Sequence, residues 1–374
     1  MALILTLAMA ATLLTAIAIA IYWRNLECTG EIPSSLFTFI AILFTSGLDV
    51  GLIMFPLVDF QVYAEEAAYA FTNPLALEFG FWGFLVWGFY FTTTFYFCIV
   101  EPRLKLFEIP FIKWANNIVI IGTCAFTGYL FLAYLPDYIE SIGDTAKYAL
   151  VATVVLVAVA SSTHIRYVKI LSLGSTWLFF ALIGGIWWSS AMGVSGLAQS
   201  MAGIGDYFAN IDRYLSPITD YHQFYLYWWF AWSIMIGQFV ARFVGGIKTW
   251  KLLLTLLIVP SIPIAIWFSV LYYYFSNGLD VTPGWRVAMV IVGTIFVVNS
   301  LDSLIRLYTR NIGMTVERLG TLPYVTANWT LLFGLVLLYQ FTPLKIEWFG
   351  LVVIAIYIAV YYFVATRRKE LAAA

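Results

Sequence analysis

Trp228, Trp229 and Trp232 fall in the stretch YLYWWFAWS at residues 225–233. On a helix each residue turns by about 100°, so the three indoles share one face within an arc of about 100°. The apolar run around them, 222–244, is long enough to cross a bilayer and has its midpoint near Ser233. Tryptophans of membrane proteins concentrate in the two interfacial belts. Three indoles at mid-depth instead point to a pocket for an apolar or cationic group. Trp82, Trp87 and Tyr90 form a second set, within an arc of about 140° and spread over about 12 Å of helix. Alone they suit an outer aromatic belt as well as a binding wall. Packed against the first set they would form an aromatic cage, which holds quaternary ammonium by cation–π attraction of roughly 2 kcal/mol or more per desolvated contact.

Polar groups interrupt two other apolar runs. Asp49 lies in Thr45-Ser46-Gly47-Leu48-Asp49-Val50-Gly51. A carboxylate at that depth is costly unless it is paired, hydrated or protonated. One reading is a proton- or cation-coupling site, or a counter-charge to a cationic ligand. The other is a protonated acid hydrogen-bonded to a neighbouring helix. Gly47 and Gly51, four residues apart, allow close helix approach or a broken helix. The second island is Asn299-Ser300-Leu301-Asp302-Ser303. Its oxygens, with freed backbone carbonyls, could hold Na+. Equally, they could make interhelical hydrogen bonds of about 1 kcal/mol each.

The elements that must position these residues are membrane helices. The chain has 374 residues, 63% of them hydrophobic and 10% charged, with a mean hydropathy of +0.91. That composition excludes a soluble globular protein. Eleven spans are expected, at 3–23, 36–57, 78–100, 114–135, 147–163, 176–196, 222–244, 250–275, 286–308, 324–341 and 346–366, with Pro260 and Pro263 kinking the eighth. Run 3–23 lacks the basic start of a signal peptide and reads as a first span. Basic residues cluster in alternate loops, at Arg103, Lys105 and Lys113, at Arg166 and Lys169, at Arg242, Lys248 and Lys251, at Arg306, Arg310 and Arg318, and at Arg367, Arg368 and Lys369. These loops share one side, which the positive-inside rule makes cytoplasmic together with the C-terminus. An odd span count then places the N-terminus outside. The opposite loops carry acids, among them Glu65, Glu66, Asp137, Asp206 and Asp280. Residues 198–220 form the longest outer piece and fit a short amphipathic helix, either interfacial or a subunit contact.

Several function classes drop out. A net charge of -1 argues against nucleic acid as a partner. Cys28, Cys98 and Cys124, and His164 and His222, have no metal or redox spacing. No nucleophile–base pair, metal cluster or nucleotide loop is visible, so an enzyme is not expected.

The chain resembles the betaine–carnitine–choline transporter family from about residue 33 to the tenth span. The most specific part is Phe224-Tyr225, Trp228-Trp229 and Trp232-Ser233, followed by Gly237, Phe239, Ala241 and Arg242. The family's signature reads FYxxWWxxWS and then GxFxAR. Weaker matches fall in the family's order: residues 33–51, Phe81-Trp82-Gly83 with Trp87 and Tyr90, Gly203-Ile204-Gly205-Asp206-Tyr207, and residues 296–303.

The resemblance implies an all-α polytopic membrane protein built on two inverted five-helix repeats of the LeuT type. The organisation would be an accessory helix and loop at 1–32, a first repeat at 33–200, an outer connector at 201–221, a second repeat at 222–366 and a short cytoplasmic tail at 367–374. It implies a secondary transporter of quaternary ammonium compounds in the cell membrane. Trp82, Trp87, Tyr90 and Trp229 would form an outer aromatic box, and Trp228, Trp229 and Trp232 a central site. Coupling would involve Asp49 with Gly47 and Gly51, and Phe296, Asn299 and Ser300, with H+ or Na+ as the ion and no other cofactor. Partners would be a small cationic or zwitterionic substrate, the lipid bilayer, and either a homotrimer or the subunits of a membrane complex. The departures are specific. Asp49 replaces a glycine of the family's GxGxG, Asn299 a threonine of its sodium segment, Phe81 a histidine, and Asp59-Phe60 a Glu-Pro pair. An N-terminal span of the family also has no counterpart here. These departures keep a second reading open, that of a non-transporting subunit or scaffold.

Overall fold

Two interrupted helices organise the bundle, and each breaks where the sequence offers a reason. The structure, a computed structural model, describes residues 2–48 and 50–367. Asp49, and the basic pair Arg368 and Lys369, therefore lie outside the described residues. After α1 (Ala2–Tyr22), the span expected at 36–57 is three helices, α2 (Leu36–Gly47), α3 (Val50–Met54) and α4 (Pro56–Glu65). Leu48 ends α2 in an extended conformation. Pro56 restarts the helix in its first turn, where a missing N–H costs nothing. The third span begins earlier than expected and is also broken. It comprises α5 (Pro74–Trp82), α6 (Leu85–Phe95), a π turn over Tyr96–Val100 and α7 (Glu101–Leu104). The Asn73 side chain caps α5 by accepting the Ala76 N–H at 2.9 Å. At the break Phe84 has φ 38°, and its N–H donates to Ser261 Oγ at 3.1 Å.

The chain continues as α8 (Pro110–Tyr138), α9 (Asp144–Ser161), α10 (Arg166–Ser189), α11 (Val194–Ala202), α12 (Gly205–Ala209) and α13 (Asp220–Val240). Then come α14 (Thr249–Ser276), α15 (Pro283–Ile312), α16 (Val316–Leu319), α17 (Thr321–Phe341) and α18 (Ile346–Thr366). Strands β1 (Glu27–Thr29) and β2 (Gly245–Lys248) pair antiparallel and join the end of α1 to the start of α14. Beside them Glu31 bridges Arg242 (3.5 Å) and Arg310 (2.9 Å). Glu31, in the loop before α2, thus ties that loop to Arg242 at the end of α13 and to Arg310 at the end of α15.

Among the described residues nine helical stretches are long and apolar enough to cross a membrane, with Pro74–Leu104 counted as one. The chain is an all-α, multi-pass integral membrane protein. Two expected spans fall outside that nine. One is the broken second span. The other is α13, which carries Asp220, His222, Gln223 and Gln238 and is buried at every position from 225 to 237. A helix walled by protein on all sides needs no lipid-compatible face.

The sixth span, expected at 176–196, is instead α10 at Arg166–Ser189. Its polar start reads as loop in sequence, yet Ser172, Ser175 and Thr176 are buried. Helix α10 packs on α2 and α15. Pro260 and Pro263 lie inside a continuous α14. Segment 198–220 is α11, α12 and a 3-10 turn over Ile211–Leu215, laid on α14 and α5 with Tyr207 and Tyr214 buried.

The packing shows a recurring pattern. Helix α2 packs on α10 as α13 packs on α18, α9 packs on α15 as α17 packs on α8, and α10 packs on α15 as α18 packs on α8. Helix α13 lies centrally, against α6, α18 and α2. Close approach to α6 requires Gly237, where a Cβ would overlap Thr93; Thr93 Oγ1 in turn donates to Ser233 O at 2.8 Å. At Gly88, also in α6, a Cβ would meet nothing within 4 Å. Gly237→Ala should therefore lower the thermal unfolding midpoint in detergent, an overpacking cost of about 1–3 kcal/mol. Gly88→Ala should raise it, by roughly 0.5–1 kcal/mol of helix preference. Size-exclusion thermostability profiles of the two variants check the contrast.

Candidate functional site

A helix broken inside a membrane frees carbonyls that water cannot reach, so protein groups must satisfy them. At the end of α5 indoles do so. The Trp229 N–H donates to Phe81 O at 2.9 Å, and the Trp87 N–H to Trp82 O at 3.1 Å. At the end of α2 the Ser300 hydroxyl donates to Leu48 O at 2.9 Å and the Tyr90 hydroxyl to Gly47 O at 3.3 Å. The two breaks face α13, and a small cavity lies between them. Gly47, Leu48, Phe81, Trp82, Val86, Tyr90, Tyr225, Trp228, Trp229 and Trp232 line it.

The two aromatic sets named from the sequence meet here. Trp82 stands edge-on to Trp228, with ring centres 5.2 Å apart, and Phe55 closes on both at 5.9 and 6.3 Å. Trp87 stands off the cavity, edge-on to Tyr90 at 5.2 Å, and a Cβ added at Gly47 would just touch both rings. The volume open to the centre of a water molecule is about 20 Å3, room for about one water. In this conformation the rings fill their own cage. The Trp228 and Trp232 indole N–H groups are buried and have no hydrogen-bond partner among the described residues. An unpaired buried donor costs about 1–3 kcal/mol, so both edges are set to receive an acceptor.

The polar island on α15 meets the end of α2. Asn299 Nδ2 donates to Thr45 Oγ1 at 2.6 Å, and Ser303 and Ser46 share a hydrogen bond of 2.9 Å. Thr45 spends its hydroxyl proton on Ala41 O (2.8 Å). Its oxygen must therefore accept from Asn299, which fixes the amide nitrogen toward it. Protein donors thus take up Thr45 Oγ1 and one lone pair of Leu48 O, so a sodium ion bound here would have to share or displace them. Phe296 points elsewhere, packing on Phe44 (6.3 Å) and Phe179 (5.7 Å). Gly51 lies in α3, where its carbonyl accepts the Phe55 N–H. Asp302 leaves the island altogether. It is bound in bidentate fashion by Arg306, with both contacts at 2.9 Å, and accepts from Ser161 at 2.7 Å.

Sequence reasoning missed Glu78 and gave Asp59 no role. Both carboxyls are fully buried beside the cavity wall. Their signal was the one that marked Asp49, an acid among apolar residues. Tyr225 and Phe55 were also missed; neither differs in type from the aromatic residues around it.

No family model matches the chain. A 130-residue stretch is 24% identical to glycine betaine transporter 1 of Vibrio parahaemolyticus serotype O3:K6 (strain RIMD 2210633), covering 32% of this chain and 24% of that protein. The match thus spans about a quarter of that relative's length. Among solved structures, the substrate-bound outward-open state of a Na+-coupled sialic acid symporter aligns with 98% of this chain and 82% of its own, at 15% identity and a TM-score of 0.45.

The tryptophans divide into caps and free edges, and substitution separates them. Trp229→Phe orphans the Phe81 carbonyl and should cost about 1–3 kcal/mol of stability. Trp232→Phe removes a donor that has no partner and should cost less. Chemical denaturation in one detergent compares the two, and an equal loss would contradict the capping role.

Proposed function

We propose that this protein is a secondary transporter of a quaternary ammonium compound of the choline, betaine or carnitine class, working by alternating access. One observation carries the reading: seven aromatic side chains, Phe81, Trp82, Tyr90, Tyr225, Trp228, Trp229 and Trp232, surround one buried cavity at two helix breaks. Aromatic faces bind the cationic head. The unpaired Trp228 and Trp232 N–H edges suit the carboxylate or hydroxyl of the same molecule. Ligand entry requires the rings to part, so the filled cage corresponds to a closed state of the cycle. The recurring helix pairs support two repeats, with α2–α4, α5–α7, α8, α9 and α10 matched to α13, α14, α15, α17 and α18. Five crossings each would invert one repeat relative to the other. The sequence stretch shared with a glycine betaine transporter supports the substrate class.

Protons, rather than sodium, drive this transport. Support comes from the internal donors at Thr45 and Leu48. Asp49 carries a proton or balances the substrate charge. The cavity's small volume is the one observation that favours the second reading, a non-transporting subunit whose cage is permanently filled.

Proteoliposome uptake distinguishes the readings. Radiolabelled choline or glycine betaine should accumulate under a pH gradient, with Na+ replaceable by K+ without loss. Trp228→Ala should reduce uptake by roughly tenfold or more, the loss of one desolvated cation–π contact. Asp49→Asn should weaken pH-driven uptake and spare binding. Absence of uptake and of binding for every compound of the class, with Trp228→Ala unchanged from wild type, would favour the scaffold.

A further inference from the structure

Beside the aromatic cavity lies a second cluster, of acids and phenols. Asp59 on α4 and Glu78 on α5 are both buried. Tyr63 links them, at 2.7 Å from Glu78 Oε2 and 3.2 Å from Asp59 Oδ2. The same Asp59 oxygen accepts from Tyr221 at 2.8 Å and Tyr225 at 3.3 Å. Among the described residues no lysine, arginine or histidine forms an ion pair with either carboxyl. The other titratable groups facing the pair are Tyr69, His222 on α13, and Tyr134, Tyr138 and Asp137 on α8.

A count of hydrogens constrains the charge. The Tyr63 hydroxyl has one proton and can donate to one carboxyl only. Both short contacts are hydrogen bonds if Glu78 is protonated. Glu78 then donates to the Tyr63 oxygen, and Tyr63 donates to Asp59. Asp59 is left as a carboxylate with three phenol donors. Among the described residues Glu78 Oε1 closes no hydrogen bond of full geometry, which a neutral acid tolerates far better than an ionised one.

The pair is also wired to the cavity. The Trp82 ring lines the cavity, and its indole N–H already approaches Glu78 as a donor, though among the described residues neither that N–H nor Glu78 Oε1 closes a hydrogen bond of full geometry. A ligand that pushes the Trp82 ring can bring this donor onto Glu78 and stabilise its ionised form. A cation in the cavity acts in the same sense, since it lies beside two acids that share one proton.

We propose that Asp59, Tyr63 and Glu78 form an exchangeable proton site, which releases its proton when an organic cation enters the aromatic cavity. In the release the Glu78 O–H bond breaks and its proton passes to the Tyr63 oxygen, while the Tyr63 proton moves to Asp59. Asp59 then yields it to water, which reaches α4 in the open cleft lined by its neighbours Leu57, Val58 and Gln61 and by Asp137. No electron moves and no co-reactant is needed. The coupling rests on the transport reading above, whereas the shared proton does not. The site makes the coupling an exchange of proton for cation.

The test uses full-length protein in weakly buffered detergent with a pH-indicator dye, and choline chloride as the probe. Tryptophan fluorescence reports binding. Wild type should release about one proton per choline bound, and its affinity should rise about tenfold per pH unit while that proton is displaced. Glu78→Gln should bind choline with no release and no pH slope. Tyr63→Phe keeps the ring, breaks the bridge, and should flatten the slope in the same way if Glu78→Gln does not fold. Binding without release in wild type, or the same release in Glu78→Gln and Tyr63→Phe, overturns the exchange. If wild type gives no choline signal, the transport reading for choline fails and the infrared band of protonated carboxyls at neutral pH decides the proton. Loss of part of that band in Glu78→Gln upholds the site, and an unchanged band overturns it.

Discussion

Everything at the centre of this protein depends on satisfying backbone groups that two helix breaks leave free, out of reach of water. An unpaired carbonyl in such a place costs several kcal/mol, so the breaks exist only because side chains from other helices reach them. The Trp229 and Trp87 indoles hold the end of α5, while Ser300 and Tyr90 hold the end of α2. These four donors come from three helices, α13, α6 and α15. Each break is thereby a point where three helices are fastened together. Loss of helical hydrogen bonding is what gives the bundle its interior registration.

The same constraint explains why the cavity lies where it does. A broken helix cannot pack along its length as an unbroken one does, and the space beside each break is filled by large rings. Trp82 and Trp228 meet edge to face, a favoured arrangement for aromatic pairs. Such a contact leaves indole edges without partners where a hydrogen-bonded side chain would have found one. The unpaired N–H groups of Trp228 and Trp232 are thus a by-product of aromatic filling that also sets up polar recognition. A small residue completes the fit. Gly237 brings α13 down onto Thr93, where any Cβ would overlap.

The membrane helices were legible from apolar run length, because a bilayer demands about 20 such residues. The sixth span was misplaced because the buried serines and threonine of α10 face α2 and α15, and hydropathy cannot tell a polar residue facing protein from one facing water. Both aromatic sets were legible from their spacing on a helix, but their division of labour was not. Nothing in the residue type separates Trp229, which caps a carbonyl, from Trp232, which has no partner among the described residues; that difference is set by the Gly83–Phe84 break, and a run with glycines at 80, 83 and 88 does not say which of them ends the helix. The ribbon of β1 and β2 was missed for a related reason. Three or four residues pair across more than 200 positions of sequence, and local pattern carries no trace of it.

Two buried acids of this protein solve the same desolvation problem in different ways, and the difference separates structure from function. Asp302 is neutralised from within. Arg306, one helical turn away, meets both its oxygens and also donates to Ser161 O and His164 O at the end of α9. A buried carboxylate bound by a resident guanidinium, itself fixed to another helix, stays bound through any local change of charge, so it ties α15 to α9. Among the described residues Asp59 and Glu78 have no resident cation, and they are neutralised in part by a shared proton. Unlike a guanidinium, a proton can leave, and what replaces it need only bring a positive charge to the same place. The aromatic cavity adjoins that place. The absence of an arginine beside these acids, where one stands beside Asp302, is what makes their charge available to respond.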